Sequence, residues 1–425
     1  MYYGLVFPEL NPLPIYSDAD WFVCEGVFML VKRRWVIAAL SLLMSALVMS
    51  AANAKTETQP FTFGLLLVSP HNDNGLSQAH YEGGKYVVKT IPGTKMIYID
   101  RVNPTERPGV TIPQLVDDMV EKGARLIIAN SVVMKDGIRE SAIMHPEIKF
   151  VHISGDDVLT GKAPRNLSNL MGRMEYGKMM AGFAAALTTK TGKIGYIGPL
   201  INEETRRLAV CAYLGAKYAW EKVLKKDAKD LKFQVTWIGF WFNIPGETAN
   251  PAEVCQNLFN TGYDVVISGI DTTEALVVAK QMKQEGKAVW TIPSDYIGAC
   301  EGAADVCLGV PYFNWGPGYL DFIKAAKSGK WKSKWVWLGP DWKDINNLDT
   351  TVIGFIAGPA LSEPATAELE KFIGDLGTGK INLFKGPLKY QDGMPFVDAG
   401  QTASDNQIWY MQQLLQGMDG KSIAE

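Results

Sequence analysis

Residues 188–198 read Thr-Thr-Lys-Thr-Gly-Lys-Ile-Gly-Tyr-Ile-Gly. The first half is a polar linker, and from Lys193 the chain becomes a short strand-like run. That run reopens an alternation already completed once upstream. Strand-like runs at Phe61–Val68, Thr94–Asp100, Arg125–Ala129 and Lys149–Ile153 are separated by helical patterns at Gly75–Thr90, Thr111–Lys122 and from Lys135. A small-residue helix at Glu175–Thr189 leads into the linker. Beyond it, strand patterns at Lys193–Ile197, Phe233–Gly239, Asp264–Ser268 and Ala288–Ile292 alternate with helical ones at Glu203–Val223, Pro251–Thr261 and Thr272–Glu285. Short apolar strands alternating with helices imply βαβ units and parallel sheets. Two such series predict an α/β protein of two doubly wound parallel-sheet lobes joined by a multi-strand hinge, a clamshell.

The remainder, with a strand expected at Val306–Val310 and another near Thr351–Phe355, is too small for a third lobe. The expected division is 55–190 for the first lobe, 191–304 for the second, 305–345 as a return to the first, and 346–425 completing the second lobe and the hinge. A hairpin is expected around Gln391-Asp392-Gly393.

Residues 1–54 are read as lying outside the fold. Lys32, Arg33 and Arg34 precede an uncharged run from Trp35 to Met49, and Ala52-Asn53-Ala54 supplies small residues for cleavage. Residues 29–54 therefore read as a secretory signal, with translation expected to start at Met29. Export places the protein in the periplasm or on the outer face of the cell membrane. An oxidising compartment then permits Cys300–Cys307 and Cys211–Cys255 as disulfide candidates.

The composition, 47% hydrophobic and 20% charged with a net charge of −3, excludes disorder and gives no basic footprint for nucleic acid. No phosphate-loop, nucleophile-elbow or HExxH motif is present, and His71, His80, His145 and His152 lack metal-ligand spacing. Neither catalysis, a cofactor nor a metal is indicated.

In doubly wound sheets, ligands sit at the carboxyl ends of strands. Asp73, Asn74 and Leu76 follow the first strand, and Asn130 and Ser131 follow the third. Trp241, Phe242 and Asn243 follow Phe233–Gly239, Asp271 follows Asp264–Ser268, and Asp295 follows Ala288–Ile292. Asn314 and Trp315 follow Val306–Val310, and His80 lies on the first helix. Aromatic rings beside amides and carboxylates suit a flat ligand with a hydrogen-bonding edge. For Asp73, Asn74, Asp271 and Asp295, capping of the next helix is the competing role.

Several segments together resemble the basic membrane protein family of periplasmic binding proteins, the substrate-binding components of ABC importers. They are His80-Tyr81-Glu82-Gly83-Gly84, Arg207 to Gly215, Phe240-Trp241-Phe242-Asn243, Asn314-Trp315-Gly316-Pro317, Gly386-Pro387-Leu388 and Gln391-Asp392-Gly393. The resemblance covers nearly all of the chain after the signal. It implies a monomeric solute-binding protein that holds a purine-like heterocycle between its lobes and delivers it to permease and ATPase subunits. By position, Trp241 or Phe242, Asn243, Asp271, Asp295, Asn314 and Trp315 would line the cleft. The family's base-binding branch has a Trp where Leu76 stands, and a second carboxylate where Pro293 and Ser294 stand. The ribose-contacting Lys of its nucleoside branch is missing near Phe313. The resemblance therefore implies a base rather than a nucleoside. A ligand sensor docking on a membrane receptor, or a nucleoside hydrolase, would be the other occupants of such a fold.

Overall fold

The computed structural model describes residues 59–424. The signal expected at 29–54, and everything else before residue 59, lies outside the described residues. No helix among those described is long and apolar enough to cross a membrane.

Two parallel sheets organise the chain. The first contains β1 (Phe61–Leu66), β2 (Thr94–Ile99), β3 (Ala124–Ala129), β4 (Lys149–Ile153), β5 (Leu167–Gly172) and, at its edge, β11 (Trp335–Leu338). Its order is β11-β5-β4-β3-β1-β2, parallel throughout. The second contains β6 (Lys193–Gly198), β7 (Lys232–Trp237), β8 (Val265–Ser268), β9 (Trp290–Ile292) and β15 (Met418–Asp419), in the order β15-β7-β6-β8-β9. It too is parallel. A separate antiparallel ribbon pairs β10 (Gly309–Phe313) with β12 (Ile353–Ala357), and β13 (Leu388–Lys389) pairs with β14 (Pro395–Val397). The continuous apolar character of β3, β6 and β8 follows from burial on both faces by helices.

The helices that position the site are α1 (Leu76–Thr90), α2 (Ile112–Glu121), α3 (Lys135–Met144), α4 (Met174–Thr188), α5 (Glu203–Tyr218), α6 (Pro251–Asn260), α7 (Glu274–Gln284) and α8 (Trp315–Lys327). They obey local start signals. Thr111 and Asn202 form capping boxes with Gln114 and Thr205. Asn250 caps α6 with Pro251 at the first helical position.

Three strands had no counterpart in the sequence reading, among them the short β15. Leu167–Gly172 (β5) carries Ser168 and Asn169 amid its apolar residues, and Trp335–Leu338 (β11) lies in the Trp/Lys-rich segment read as mere packing. The strand expected at Val306–Val310 instead runs Gly309–Phe313, so Pro311, Tyr312 and Phe313 belong to the strand rather than to a turn. Its pairing with β12 fixes that register, and an isolated strand pattern cannot supply it. Cys300 and Cys307 are disulfide-bonded. The companion candidate is corrected: Cys211 and Cys255 are free and buried. Cys211 belongs to the large core around α4 and α5, whereas Cys255 packs in a separate cluster beneath α6 and α7.

Helix α4 leaves the first sheet and packs along α5 of the second lobe. Gly, Ala and Met residues make this contact close enough to bring backbones together. A Cβ on Gly182 would lie 1.8 Å from the Ala212 carbonyl oxygen, and one on Gly215 would lie 1.9 Å from that of Met179. A Gly182→Ala substitution is therefore expected to force the helices apart and destabilise the protein by about 1–3 kcal/mol. Denaturant unfolding would measure this; an unchanged midpoint would contradict the close crossing.

Candidate functional site

The strand ends of both sheets face one cavity. It is lined from the first lobe by Leu76, Asn130, Ser131 and Ser154, and from the second by Glu204, Trp241, Asp271 and Asp295. Phe313, Trp315 and Lys178 of α4 complete its floor. The free space is about 30 Å³, less than a bicyclic ring fills, so entry requires the walls to part. Backbone strain marks its wall: Ser154 and Asp295 hold φ values of 61° and 76°.

Each predicted residue has a definite place. Asp73 caps α1, accepting from the amides of Gly75 (2.8 Å), Gln78 (3.0 Å) and Ser77 (3.1 Å). Asn74 is exposed, and neither Asp73 nor Asn74 reaches the cavity wall. Asn130 lines the cavity while its side chain accepts from the Val68 amide at 2.8 Å and donates to Ser77 Oγ at 3.3 Å. The Ser131 carbonyl accepts from His152 Nε2 at 2.9 Å.

Trp241 is buried on the wall, its Nε1 has no partner, and among the described residues its ring pairs with no other aromatic ring. The ring borders the cavity, where a flat ligand could stack on it. Trp315 is different. It is fully buried and stacked on Phe313 (4.6 Å) and on His80 (4.2 Å), so its unpartnered Nε1 is the group it can offer.

Four more predicted residues lie away from the cavity. His80 sits behind Trp315, with Nδ1 bonded to the Tyr319 hydroxyl. Burial holds its imidazole far below the ordinary range, hence neutral. Phe242 packs edge-on to Phe240 at 5.0 Å and against the first-lobe cluster that includes Leu66 and Val68. Asn243 Oδ1 accepts from Thr248 Oγ1 at 3.2 Å, holding a turn. Asn314 also departs: its Nδ2 donates to the carbonyls of Leu348 (2.7 Å) and Thr351 (2.8 Å), on the edge of a neighbouring cleft.

Sequence reasoning missed Lys178, Ser154 and Glu204. Glu204 begins α5 just beyond β6, so the strand-end rule applied to that strand would have found it. Ser154 Oγ reaches Glu204 Oε1 at 3.5 Å across the cleft. Lys178 was signalled by a lone charge in the run Gly177–Ala186, otherwise small and apolar.

The electrostatics are those of buried acids. Burial, with Asp295 and Asp73 adding repulsion, raises the Asp271 carboxyl far above the ordinary range. Asp295 is pushed up to about 7 by burial, against the pull of Lys178. Burial also raises Glu204. Lys178 is drawn down to about 8 by burial, opposed by Asp295 and Asp271. Among the described residues no group of acids and histidines could hold a metal ion.

Two doubly wound lobes with polar and aromatic groups converging from their strand ends define a solute-binding protein of the periplasmic type. A family model described as ABC transporter substrate-binding protein PnrA-like matches residues 62–362, and the chain belongs to this family. A purine-binding protein of Brucella abortus is 27% identical over 360 residues, covering 84% of this chain and 93% of its own. Basic membrane protein A of Borreliella burgdorferi is 25% identical over 173 residues, covering 39% of this chain and 46% of its own. Among solved structures, an ABC transporter solute-binding protein from Aeropyrum pernix shares the fold with a TM-score of 0.61 at 14% identity, covering 82% and 95% of the two chains. Substrate-binding proteins of this family are exported, and both the family and these neighbours are solute-binding proteins.

Two substitutions probe the cleft. Trp241→Ala is expected to weaken binding of a planar ligand by about 1–3 kcal/mol, the usual loss of a base–aromatic stack; calorimetric affinities unchanged by it would move stacking elsewhere. Gly75→Ala tests closure, because a Cβ there would lie 1.8 Å from the Asp271 carbonyl oxygen across the cleft. Its φ of −141° lies outside the left-handed region and the clash is with the opposite lobe, so the open form is expected to fold. Affinity is expected to fall at least about tenfold with melting temperature nearly unchanged; equal affinity would show that Gly75 need not approach Asp271.

Proposed function

We propose that the protein captures a planar heterocycle with N–H donors on its edge, purine-like and a base rather than a nucleoside, and delivers it to the permease and ATPase of an ABC importer. The carrying observation is the arrangement around Trp241. One buried indole with no aromatic partner lines the same cavity as Asp271 and Asp295, which stand at the ends of the adjacent strands β8 and β9. An indole takes a flat ring, and carboxyl groups on its edge take N–H donors. The purine-binding relative from Brucella abortus, matched over nearly its full length, supports the same ligand class. The absence of a Lys near Phe313 argues against ribose, as set out from the sequence.

Recognition is by domain closure. The ligand binds groups from both lobes only when they meet, and so draws the open–closed equilibrium toward the closed form. No bond is made or broken. The chain acts as a monomer outside the cytoplasmic membrane, released from the signal at 29–54. The lobe boundaries proposed are 55–190 and 305–345 for one lobe, with 191–304 and most of 346–425 for the other.

Titration calorimetry against adenine, hypoxanthine, guanine and their nucleosides tests the reading. Bases are expected to bind, and more tightly than the matching nucleosides. No heat with any of them would overturn the ligand class while leaving the family unaffected.

A further inference from the structure

The deepest charged group in the cleft is Lys178, 1% exposed. Its ammonium donates to the Ser268 carbonyl at the end of β8 (2.9 Å) and to Ser294 Oγ just beyond β9. Ser294 Oγ in turn donates to the same carbonyl at 2.7 Å. One cation thus ties together the two strand ends that carry Asp271 and Asp295. Yet among the described residues it forms no direct ion pair with either acid, and neither carboxyl group has a side-chain hydrogen bond. The lysine's donors are spent on serine and backbone oxygens behind the carboxyl groups, so the carboxyl oxygens keep their acceptor capacity for whatever enters.

The charge balance requires such a group. Asp73 from the loop before α1, Glu204 from α5, and Asp271 and Asp295 all act on this region, while the Tyr196 ring of β6 lies 5.7 Å from the ammonium. Without a cation, buried acids that act on one another would either all protonate, losing their acceptor strength, or attract a positively charged guest.

We propose that Lys178 is the positioning residue that makes this cleft selective for neutral N–H-donating rings, offsetting the charge of Asp295 from behind while leaving the carboxyl oxygens of Asp271 and Asp295 to the ligand. The class of ring rests on the function proposed above; the role of the lysine does not.

The pH dependence separates this role from simple packing. Asp295 gains its charge near 7 and Lys178 loses its own near 8. Below that range Asp295 is protonated and the buried ammonium stands without a charged neighbour, so removing it relieves a cost. As Asp295 ionises, removing Lys178 leaves a buried carboxylate without its cation. The stability of Lys178→Met relative to the unaltered protein is therefore expected to fall as pH rises from 5 to 8.

Thermal unfolding of the ligand-free full chain over that range measures this, with Lys178→Gln as a second variant that retains a donor without the charge. Adding Asp295→Asn to Lys178→Met is expected to remove the trend. An offset independent of pH in both single variants would mark lost packing and overturn the proposal. Calorimetry at pH 7.5 forms the second arm. Adenine is expected to bind Lys178→Met at least about tenfold more weakly than the unaltered protein. Benzamidinium, a flat cation, is expected to bind the variant and not the unaltered protein. Equal adenine affinities, or equal benzamidinium binding, would overturn the selectivity. If the unaltered protein binds no purine while the pH trend and the benzamidinium contrast hold, the purine reading fails and the role of Lys178 stands.

Discussion

The arrangement depends on the direct backbone contact between α4 and α5. Gly182 and Gly215 let each helix touch the other's main chain. Because α4 enters from β5 and exits into β6, this contact sets the second sheet against the first. It also brings Lys178, on the same helix, to the ends of β8 and β9. A larger residue at the crossing would displace the helix axis, and with it the cation inside the cleft. The small-residue character of α4 is thus both a packing requirement and the reason a charge can reach so deep.

A second tie holds the last part of the chain to the two central helices. Arg207 of α5 is buried, donates to Glu175 of α4 at 2.5 Å and to the Trp409 carbonyl at 3.1 Å, and lies 4.3 Å over the Trp409 ring. Trp409 in turn packs edge-on to Trp335 and Trp337 of β11, at 5.0 Å from each. A buried ion pair rarely adds net stability over an apolar replacement. Its worth here is directional: it fixes the last part of the chain against both central helices. The tryptophans of β11 are the apolar wall of that joint.

Much of the α/β alternation was legible because each βαβ unit carries its own local signals, such as the capping boxes at Thr111 and Asn202. What escaped were elements defined by partners distant in sequence. β5 and β11 pair with each other and make the sheet edge, but neither shows a strong strand pattern alone. The cleft divided in the same way. Trp241, Asp271 and Asp295 were visible because they directly follow strands. Asn243 and Asn314 also follow strands, yet their amides are consumed by local backbone and turn contacts, which position in sequence does not reveal. His80 supports the cavity from behind Trp315. Lys178 and Glu204 come from helices, and only the packing of α4 and α5 turns them inward.

The closed cleft is polar in a way that water or protein must ordinarily satisfy. The Nε1 atoms of Trp241 and Trp315 are buried without partners. Each buried polar group left unpaired costs about 1–3 kcal/mol. The closest contacts across the opening are slight by comparison: Ser154 to Glu204, the backbone of Gly75 against Asp271, and Phe242 on the first-lobe core. Closure alone therefore exchanges hydrated polar groups for unsatisfied ones. The flat ring proposed as ligand, with donors on its edge, would reverse that sign by satisfying the carboxyl groups. The free energy that selects the ligand is then the same free energy that shuts the lobes, so specificity and the signal of occupancy come from one set of groups.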